Sequence, residues 1–367
     1  MNPSHTCSIC YYLAPMEGIT TYSFRNAYHR HYGGVDKYFT PFISSRSLNA
    51  RERNEILPEH NEGMQLVPQI LTNRAEEFLA IAGRIAFYGY KTVNLNLGCP
   101  SGTVVSRRRG AGFLSVPEDL DRFLDTIYQK CPLGISIKTR IGISSPEEWD
   151  PLLDIFMKYP IEELIVHPRL QQEGYVGSVH REAYGKALKA LEKASPSPAC
   201  PGIPACPHRI PLCYNGDILS VATRDSLLEA FPETDTIMIG RGILRNPGLL
   251  QELRHTPYAA SRQREEPALP HGPAGALASC AIQDSTATVS VPALATLKAF
   301  HAELLERYRQ IMPGDTPTLY KMKELWAYLS HSFESPDKYL KKIRKADHLA
   351  DYLGAVNGLF GNCRFLG

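Results

Sequence analysis

The sequence has no run of about 18 or more apolar residues, so we expect no membrane-spanning helix and no membrane partner. The stretch from Met1 to Cys10 lacks the basic start and apolar core of a secretory signal peptide. The nine cysteines are scattered and odd in number, which argues against a disulfide framework. Lysine plus arginine (40) nearly balances aspartate plus glutamate (38), which excludes a polycationic protein but allows a local basic surface. We therefore expect a protein of the reducing cytoplasm.

The chain of 367 residues is 43% hydrophobic, which suits a barrel of roughly 250 residues with a smaller appended domain. Short β-forming runs alternate with amphipathic helical patterns such as Arg74–Tyr88 and Pro117–Lys130. The predicted strands are Tyr11–Pro15, Lys37–Thr40, Leu66–Ile70, Thr92–Asn96, Gly134–Thr139, Glu163–His167, Leu212–Asn215 and Thr236–Ile239. Eight strands alternating with helices predict an α/β fold, a TIM (β/α)8 barrel.

Two segments interrupt this alternation. Lys193–Pro211 is rich in proline, serine and cysteine, and we interpret it as a loop insertion before the seventh strand. His255–Val291 is dominated by alanine, proline, serine, glycine and glutamine, which predicts a flexible linker. Helical periodicity returns in Pro292–Gly367. The predicted organisation is a barrel domain (1–254), a linker (255–291) and a smaller C-terminal all-helical domain (292–367).

Polar residues follow the ends of most predicted strands, where the active site of a β/α barrel lies. After the seventh and eighth strands, Gly216, Gly240 and Gly242 would let backbone N–H groups approach an anion, and Arg241 could add a charged hydrogen bond. Either loop alone could be only a tight turn, because short glycine motifs are weak signals. The pair at consecutive strand ends favours a phosphate site.

Three further side chains at strand ends suit a polar ligand. An unpaired Lys138 ammonium in an apolar barrel mouth would be costly, so we expect it to meet an anion or an electron-rich ligand. The alternative for Lys138 is a salt bridge to Asp217 or Glu17. Gln69 and Asn96 offer paired donors and acceptors for the edge of a heterocycle, although each could equally be a satisfied amide of the barrel rim.

Cys99 lies between Gly98 and Pro100, directly after the fourth predicted strand. A free cysteine is more often a small buried hydrophobe, which is our interpretation of Cys131 and Cys213. The flanking glycine and proline instead favour a thiol at the rim for Cys99. A thiol with a pKa of about 8.5 is mostly protonated at neutral pH, so it could serve as a general acid.

A metal site is not expected. Cys7 and Cys10 have the spacing of two zinc ligands, and Cys200, Cys206 and His208 could complete such a set. The spacing of Cys200 and Cys206 is irregular, so we interpret these residues as loop cysteines.

Six segments, in this order and spacing, resemble the tRNA-dihydrouridine synthase family: APMEGITTYSFR, LNLGCPSGTVVSRRRGAGFL, ISIKTRIG, IVHPR, YNGDI and MIGRGILRNP. The combination of NLGCP with a following RGAGFL is the most specific of these signals. The resemblance covers roughly Tyr11 to Gln251, and extends more weakly to MKELWAY in the helical region. It implies an FMN-containing TIM barrel followed by a helical RNA-binding domain. The implied reaction is the NADPH-dependent reduction of the C5–C6 double bond of particular uridines in tRNA.

The resemblance also implies roles for individual residues. Cys99 matches the general acid that protonates C5 after hydride reaches C6. Gln69 and Lys138 match contacts to the pyrimidine edge of the flavin. The other residues implied in cofactor binding are Pro15, Met16, Glu17 and His167 around the flavin, and Asn215, Gly216, Asp217, Gly240 and Arg241 at the ribityl and phosphate groups. The residues that we expect to bind the RNA substrate are Asn96, Arg107, Arg109, Arg169, Lys341, Lys342 and Lys345.

Two features of the RNA-binding prediction remain open. The lysine-rich run from Lys338 to Lys345 could be a solvated helix face, although Tyr339 beside it offers a stacking surface. Arg108 stands where small or polar residues are commoner in the family, and this departure concerns substrate choice.

Three other functions compete with tRNA reduction. Ribosomal RNA could be the substrate, and the sequence does not exclude it. An FMN barrel could reduce a small molecule, as dihydroorotate or enoate reductases do, but such an enzyme has little need of a basic helical domain. An RNA-binding protein could have kept the barrel without turnover, but Cys99, Lys138 and His167 are all present. We expect a monomer.

Overall fold

The computed structural model describes residues 9–193, 210–256, 258 and 291–367. Its sheet consists of nine parallel strands in the order β3-β2-β1-β9-β8-β7-β6-β5-β4. The strands are β1 (Cys10–Leu13), β2 (Lys37–Phe39), β3 (Leu66–Val67), β4 (Gln69–Ile70), β5 (Thr92–Leu97), β6 (Gly134–Arg140), β7 (Leu164–His167), β8 (Leu212–Tyr214) and β9 (Thr236–Ile239).

The two end strands of this order, β3 and β4, are halves of one predicted strand, Leu66–Ile70, divided at Pro68. Proline has no N–H to donate, so the ladder breaks there. The Pro68 carbonyl still accepts a hydrogen bond from the Asn94 N–H of β5 at 2.8 Å. The chain itself therefore joins the two ends of the sheet, and the predicted TIM barrel is confirmed.

Helices follow most of the strands. They are α1 (Tyr22–His31), α2 (Ala50–Ile56), α3 (Ala75–Phe87), α4 (Gly102–Val105), α5 (Pro117–Lys130), α6 (Trp149–Phe156), α7 (Arg181–Lys193), α8 (Val221–Ala230), α9 (Arg241–Arg245) and α10 (Leu249–His255). Short 3-10 helices lie at Pro58–His60, Gly110–Ser115, Pro146–Glu148 and Ser330–Ser332. The predicted helix Pro117–Lys130 is found with the same bounds, and its proline occupies the first turn, where no N–H is needed.

The C-terminal region is helical, as predicted, and consists of α11 (Val291–Ile311), α12 (Asp315–Leu329), α13 (Asp337–Lys345) and α14 (Leu349–Asn362). Its Phe300 packs edge-on against Phe24, Tyr28 and Tyr32, with ring centroids 5.6–6.4 Å apart. Buried residues of both regions form one continuous hydrophobic cluster. The helical region is therefore packed on the barrel through a shared core.

Alternation along the strands separates two layers of side chains. One set packs between the strands and the outer helices, and the other fills the barrel interior, with Tyr12, Phe39, Ile165, Cys213 and Met238 among its members. Cys213 is fully buried, which confirms its interpretation as a core residue, whereas Cys131 is only half-buried.

The predicted insertion (193–211) and linker (255–291) lie largely outside the described residues. Among the residues that the structure does describe, every helix is too short or too polar to cross a bilayer.

Candidate active site

A cleft lies at the C-terminal ends of the barrel strands. Side chains reach it because alternate residues of each strand point inward; on β6, Lys138 points inward while Ile135 and Ile137 pack against the outer helices. The lining includes every residue predicted to bind a cofactor except Glu17 and Gln69, namely Pro15, Met16, Lys138, His167, Asn215, Gly216, Asp217, Gly240 and Arg241.

Gln69 lies below the mouth, in a chain of amide hydrogen bonds. The Asn96 Oδ1 accepts from the backbone N–H groups of Gly98 (3.0 Å) and Cys99 (2.9 Å), so its Nδ2 must point the other way. That Nδ2 donates to the Gln69 Oε1 at 2.7 Å, and the Gln69 Nε2 donates to the Asn94 Oδ1 at 2.8 Å. Asn96 thus anchors the segment that carries Cys99, and Gln69, which is 1% exposed, has both ends of its amide hydrogen-bonded to neighbouring amides.

We call residues 98–101 the thiol loop. The turn formed by Arg109, Gly110 and Ala111 holds it from the other side, where the Ala111 N–H donates to the Cys99 carbonyl at 3.1 Å. Gly110 has a φ of +54°, which disfavours other residues, and a β-carbon there would lie 2.9 Å from the Cys99 β-carbon. This contact explains why a glycine in RGAGFL accompanies the cysteine of NLGCP.

Cys99 is half-buried and keeps its proton. Burial raises the pKa of the Cys99 thiol, and a hydrogen bond from the Ser101 N–H and the charges of Lys138 and Arg140 offset only part of that effect. Its neighbour Gly98 lines the cleft, whereas Cys99 itself is not among the lining residues. A protonated thiol at neutral pH is a proton donor.

Lys138 forms no ion pair among the described residues, which disagrees with the salt-bridge alternative. Asp217 pairs instead with Arg169 and Arg241, and Glu17 pairs with Arg51 at 2.5 Å. Burial and the charge of Arg140 lower the pKa of Lys138 to about 8. The cleft therefore holds a cation that the protein itself does not neutralise.

His167, at the end of β7, is 8% exposed. Burial, together with the charges of Lys138, Arg140, Arg169 and Arg241, holds the pKa of His167 well below its usual range. The imidazole is therefore neutral at pH 7 and can donate one hydrogen bond and accept another.

Asp217 lies between two guanidinium groups. Arg169 donates to it at 2.5 Å and Arg241 donates to its other oxygen. Burial would raise the pKa of Asp217, but these two arginines lower it below the usual value. The Arg169 Nε is buried and has no hydrogen-bond partner among the described residues, so the site has donor capacity in excess of its acceptors.

Residues 12–284 match the dihydrouridine synthase family. The chain belongs to this family. The predicted family and the predicted enzyme class, an oxidoreductase, are thereby confirmed.

The chain is similar to a probable tRNA-dihydrouridine synthase 2 of Bacillus subtilis, with 28% identity over 64% of this chain and 69% of the relative. A probable tRNA-dihydrouridine synthase of Staphylococcus epidermidis is 29% identical over 64% of this chain and 69% of its own. A morphinone reductase structure aligns with 67% of this chain and 85% of its own, at a TM-score of 0.45 and 11% identity, too low to support a functional inference.

The basic residues predicted to bind substrate have different environments in this dihydrouridine synthase. Lys341, Lys342 and Lys345 are exposed on α13, and Arg107 is exposed beyond α4. In contrast, the Arg109 guanidinium pairs with Glu77 at 3.0 Å. Lys341, Lys342, Lys345 and Arg107 are therefore open to a partner, whereas Arg109 is bound to a carboxylate.

Arg169 and Tyr339 are less available than the sequence suggested. Arg169 is 1% exposed and hydrogen-bonded to Asp217 and the Gly177 carbonyl. Tyr339 is half-buried, and its ring lies where a β-carbon on Gly358 would have to be. Both placements depend on neighbours distant in sequence. Contact of Arg169 with RNA and stacking of a base on Tyr339 both stay predictions.

Two mouth residues were not identified from sequence. Tyr175, in the loop after β7, lines the cleft, is 50% exposed and stacks on His167 at a centroid distance of 6.2 Å. Arg140, at the end of β6, is fully buried and hydrogen-bonded to the Gly98 carbonyl at 3.0 Å. The motif ISIKTRIG contains Arg140, but only the folded loops reveal its partners.

No cluster of three or more potential metal ligands occurs among residues 9–193, 210–256, 258 and 291–367. Cys7, Cys200, Cys206 and His208 lie outside the described residues, and Cys10 is exposed.

Proposed function

We propose that this dihydrouridine synthase reduces the C5–C6 double bond of uridines in tRNA, in the cytoplasm, with FMN as its cofactor and NADPH as the electron donor. The observation that carries this proposal is that one end of the barrel holds both Cys99, in the loop directly after β5, and Lys138, which pairs with Asn96 of β5 and forms no ion pair among the described residues. One group can supply a proton and the other can stabilise an anion, which are the two requirements of reducing a conjugated pyrimidine.

The residues of the cleft fit FMN. Lys138 lines the cleft and suits the electron-rich pyrimidine edge of a flavin. Arg241 and the loop glycines Gly216 and Gly240 suit its phosphate, since neither glycine has a side chain to block the approach. At Gly216 a β-carbon would lie 2.1 Å from the Tyr214 hydroxyl, so the wall of the cleft requires glycine at that position.

When bound and reduced, FMN supplies a hydride to C6 of the uracil ring. The residues of the chain do the remaining work. Addition at C6 leaves an enolate-like anion, and the Cys99 Sγ–H donates its proton to C5, which leaves a thiolate that solvent reprotonates. Lys138, through its positive charge, favours anionic states at the mouth. Because a stacked base cannot lie against the flavin, the uridine must be turned out of the RNA into the cleft.

The exposed lysines of α13 favour a polynucleotide over a small molecule. Lys341, Lys342 and Lys345 are exposed and form no ion pair among the described residues, and the names of the similar proteins specify tRNA. Ribosomal RNA offers the same phosphates, so the test must include it.

The test uses purified protein with an unmodified tRNA transcript, an unmodified ribosomal RNA fragment and dihydroorotate or enoate acceptors. We expect yellow protein that releases FMN on denaturation, is reduced by NADPH and forms dihydrouridine, detected by nucleoside mass spectrometry, only in the tRNA. Protein that binds no flavin even after incubation with FMN would contradict the proposal. Turnover of ribosomal RNA alone, or of a small acceptor alone, would reassign the substrate.

A further inference from the structure

The loop that follows β7 contributes Tyr175 to the wall of the cleft and lies beside the thiol loop. We call residues 170–177 the tyrosine loop, because it carries Tyr175. Neither loop is part of a strand, so no β-ladder holds the two loops together. The Gln171 Nε2 donates to the Pro100 carbonyl at 3.3 Å, which is a long and therefore weak hydrogen bond between the two loops.

Arg140 makes the strong connection between the loops. Its Nε donates to the Gly98 carbonyl of the thiol loop at 3.0 Å. Its two terminal nitrogens donate to the carbonyls of Leu170 and Gly174 in the tyrosine loop, each at 2.7 Å. The planar guanidinium directs these donors apart, and an ammonium group could not reach all three acceptors at once.

The peptide before Cys99 is thereby held on both sides. The Gly98 N–H donates to Asn96, and the Gly98 carbonyl accepts from Arg140. On the other loop, the Tyr175 ring lies over the Arg140 guanidinium, with 5.4 Å from the Arg140 Cζ to the ring centroid. Arg140 thus contacts both the peptide that precedes the thiol and the Tyr175 ring, and Arg241 also holds Tyr175 by donating to its carbonyl at 3.0 Å.

Arg140 is not placed to bind a ligand itself. It is 0% exposed, is absent from the lining of the cleft and forms no ion pair with any described residue. A buried guanidinium without a carboxylate partner costs free energy unless carbonyls satisfy it, and all three of its nitrogens donate to backbone oxygens.

We infer that Arg140 is a positioning residue that couples the two loops, so that Cys99 and Tyr175 keep fixed positions relative to each other. The inference rests on the proposed function for its effect on turnover, since a thiol displaced by about 1 Å transfers its proton far less often. The coupling itself is a property of the folded chain and does not depend on which substrate is reduced.

The experiment compares the FMN-loaded wild type with Arg140→Lys and Arg140→Gln. We expect both variants to retain flavin and its reduction by NADPH, and to lose dihydrouridine formation by on the order of a hundredfold. The Arg140→Lys variant keeps the positive charge, but its turnover should fall as well, because an ammonium group cannot make the three hydrogen bonds of the guanidinium. Hydrogen exchange should accelerate in residues 98–112 and 170–177 together.

Arg224→Gln is the matched control. Arg224 is also buried and donates to backbone carbonyls, those of Leu253 and Thr256, but it lies far from the mouth. This variant should lose stability without accelerated exchange in either loop. Wild-type turnover in Arg140→Lys, or exchange that rises in one loop only, would overturn the inference. If wild-type protein reduces no uridine but Arg140→Gln accelerates exchange in both loops, the coupling stands and the proposed function fails.

Discussion

Gly110 packs directly against Cys99, so closely that a β-carbon at position 110 would lie 2.9 Å from both the Cys99 β-carbon and its carbonyl oxygen. No side chain can be added there without moving the thiol. The φ of +54° adds a conformational cost of about 1–3 kcal/mol for a residue other than glycine.

Gly110→Ala should therefore lower the free energy of unfolding by about 1–3 kcal/mol and reduce uridine turnover on the order of a hundredfold while flavin stays bound. Gly102→Ala is the control, because a β-carbon at Gly102 meets nothing within 4 Å. Chemical denaturation and nucleoside mass spectrometry measure the two effects. Equal turnover in the two variants would show that the Gly110 contact does not position Cys99.

The pKa of about 8 for Lys138 predicts a pH dependence of FMN binding. The charged form attracts the anionic ligand, so affinity is full below pH 8 and weakens as the pH rises through the pKa of the free protein, by up to roughly tenfold per pH unit. Lys138→Arg should abolish this dependence, because a guanidinium stays charged, and Lys138→Met should bind weakly at every pH. Fluorescence titrations of FMN between pH 7 and 9.5 measure it. A wild-type affinity that is constant over this range would remove Lys138 from the flavin site.

The Phe300 contact predicts that barrel and helical region unfold together. Phe300→Ala should lower the free energy of unfolding by about 3–5 kcal/mol, because it leaves a cavity among Phe24, Tyr28 and Tyr32. Phe87→Ala is the control, since Phe87 is 89% exposed. Circular dichroism and flavin release should report one transition. Two separate transitions would show that the barrel and the helical region are independent domains. Only in that case would deletion of residues 292–367 test RNA binding without also destabilising the barrel.

The exposed lysines of α13 predict a salt-dependent RNA affinity. Replacing Lys341, Lys342 and Lys345 with glutamine should weaken tRNA binding and reduce the slope of log K against log salt by about one unit per lost phosphate contact. A matched triple variant uses lysines that are also exposed but lie on the barrel, away from its mouth: Lys91, Lys130 and Lys189. Filter-binding assays over a range of salt concentrations compare them. Equal slopes would assign RNA binding to another surface.

Much of the site could be predicted because strand periodicity is local. Residues at inward-facing positions near the ends of the strands, such as Lys138, His167 and Asn215, line the cleft as expected from the sequence. The break at Pro68 also follows from a local rule, because proline cannot donate to a ladder, although the uninterrupted strand Leu66–Ile70 was the expectation.

Long-range contacts account for what the sequence did not reveal. Arg140 and Tyr175 acquire their roles only when the thiol and tyrosine loops meet, over a sequence separation that no periodicity encodes. Arg109 was predicted from its charge, but whether it faces solvent or a carboxylate depends on Glu77, a residue of α3. Side-chain type predicted candidate residues, and packing decided which of them remain accessible.

The acid role of Cys99 is tested most directly by separating the two half-reactions of the Cys99→Ala variant in a stopped-flow spectrophotometer. With NADPH, the flavin should be reduced at the wild-type rate, because the thiol takes no part in that step. On mixing the reduced variant with unmodified tRNA, reoxidation of the flavin should be slower by about 10²–10⁴-fold. Reoxidation at the wild-type rate, with normal dihydrouridine formation, would contradict a proton transfer from Cys99.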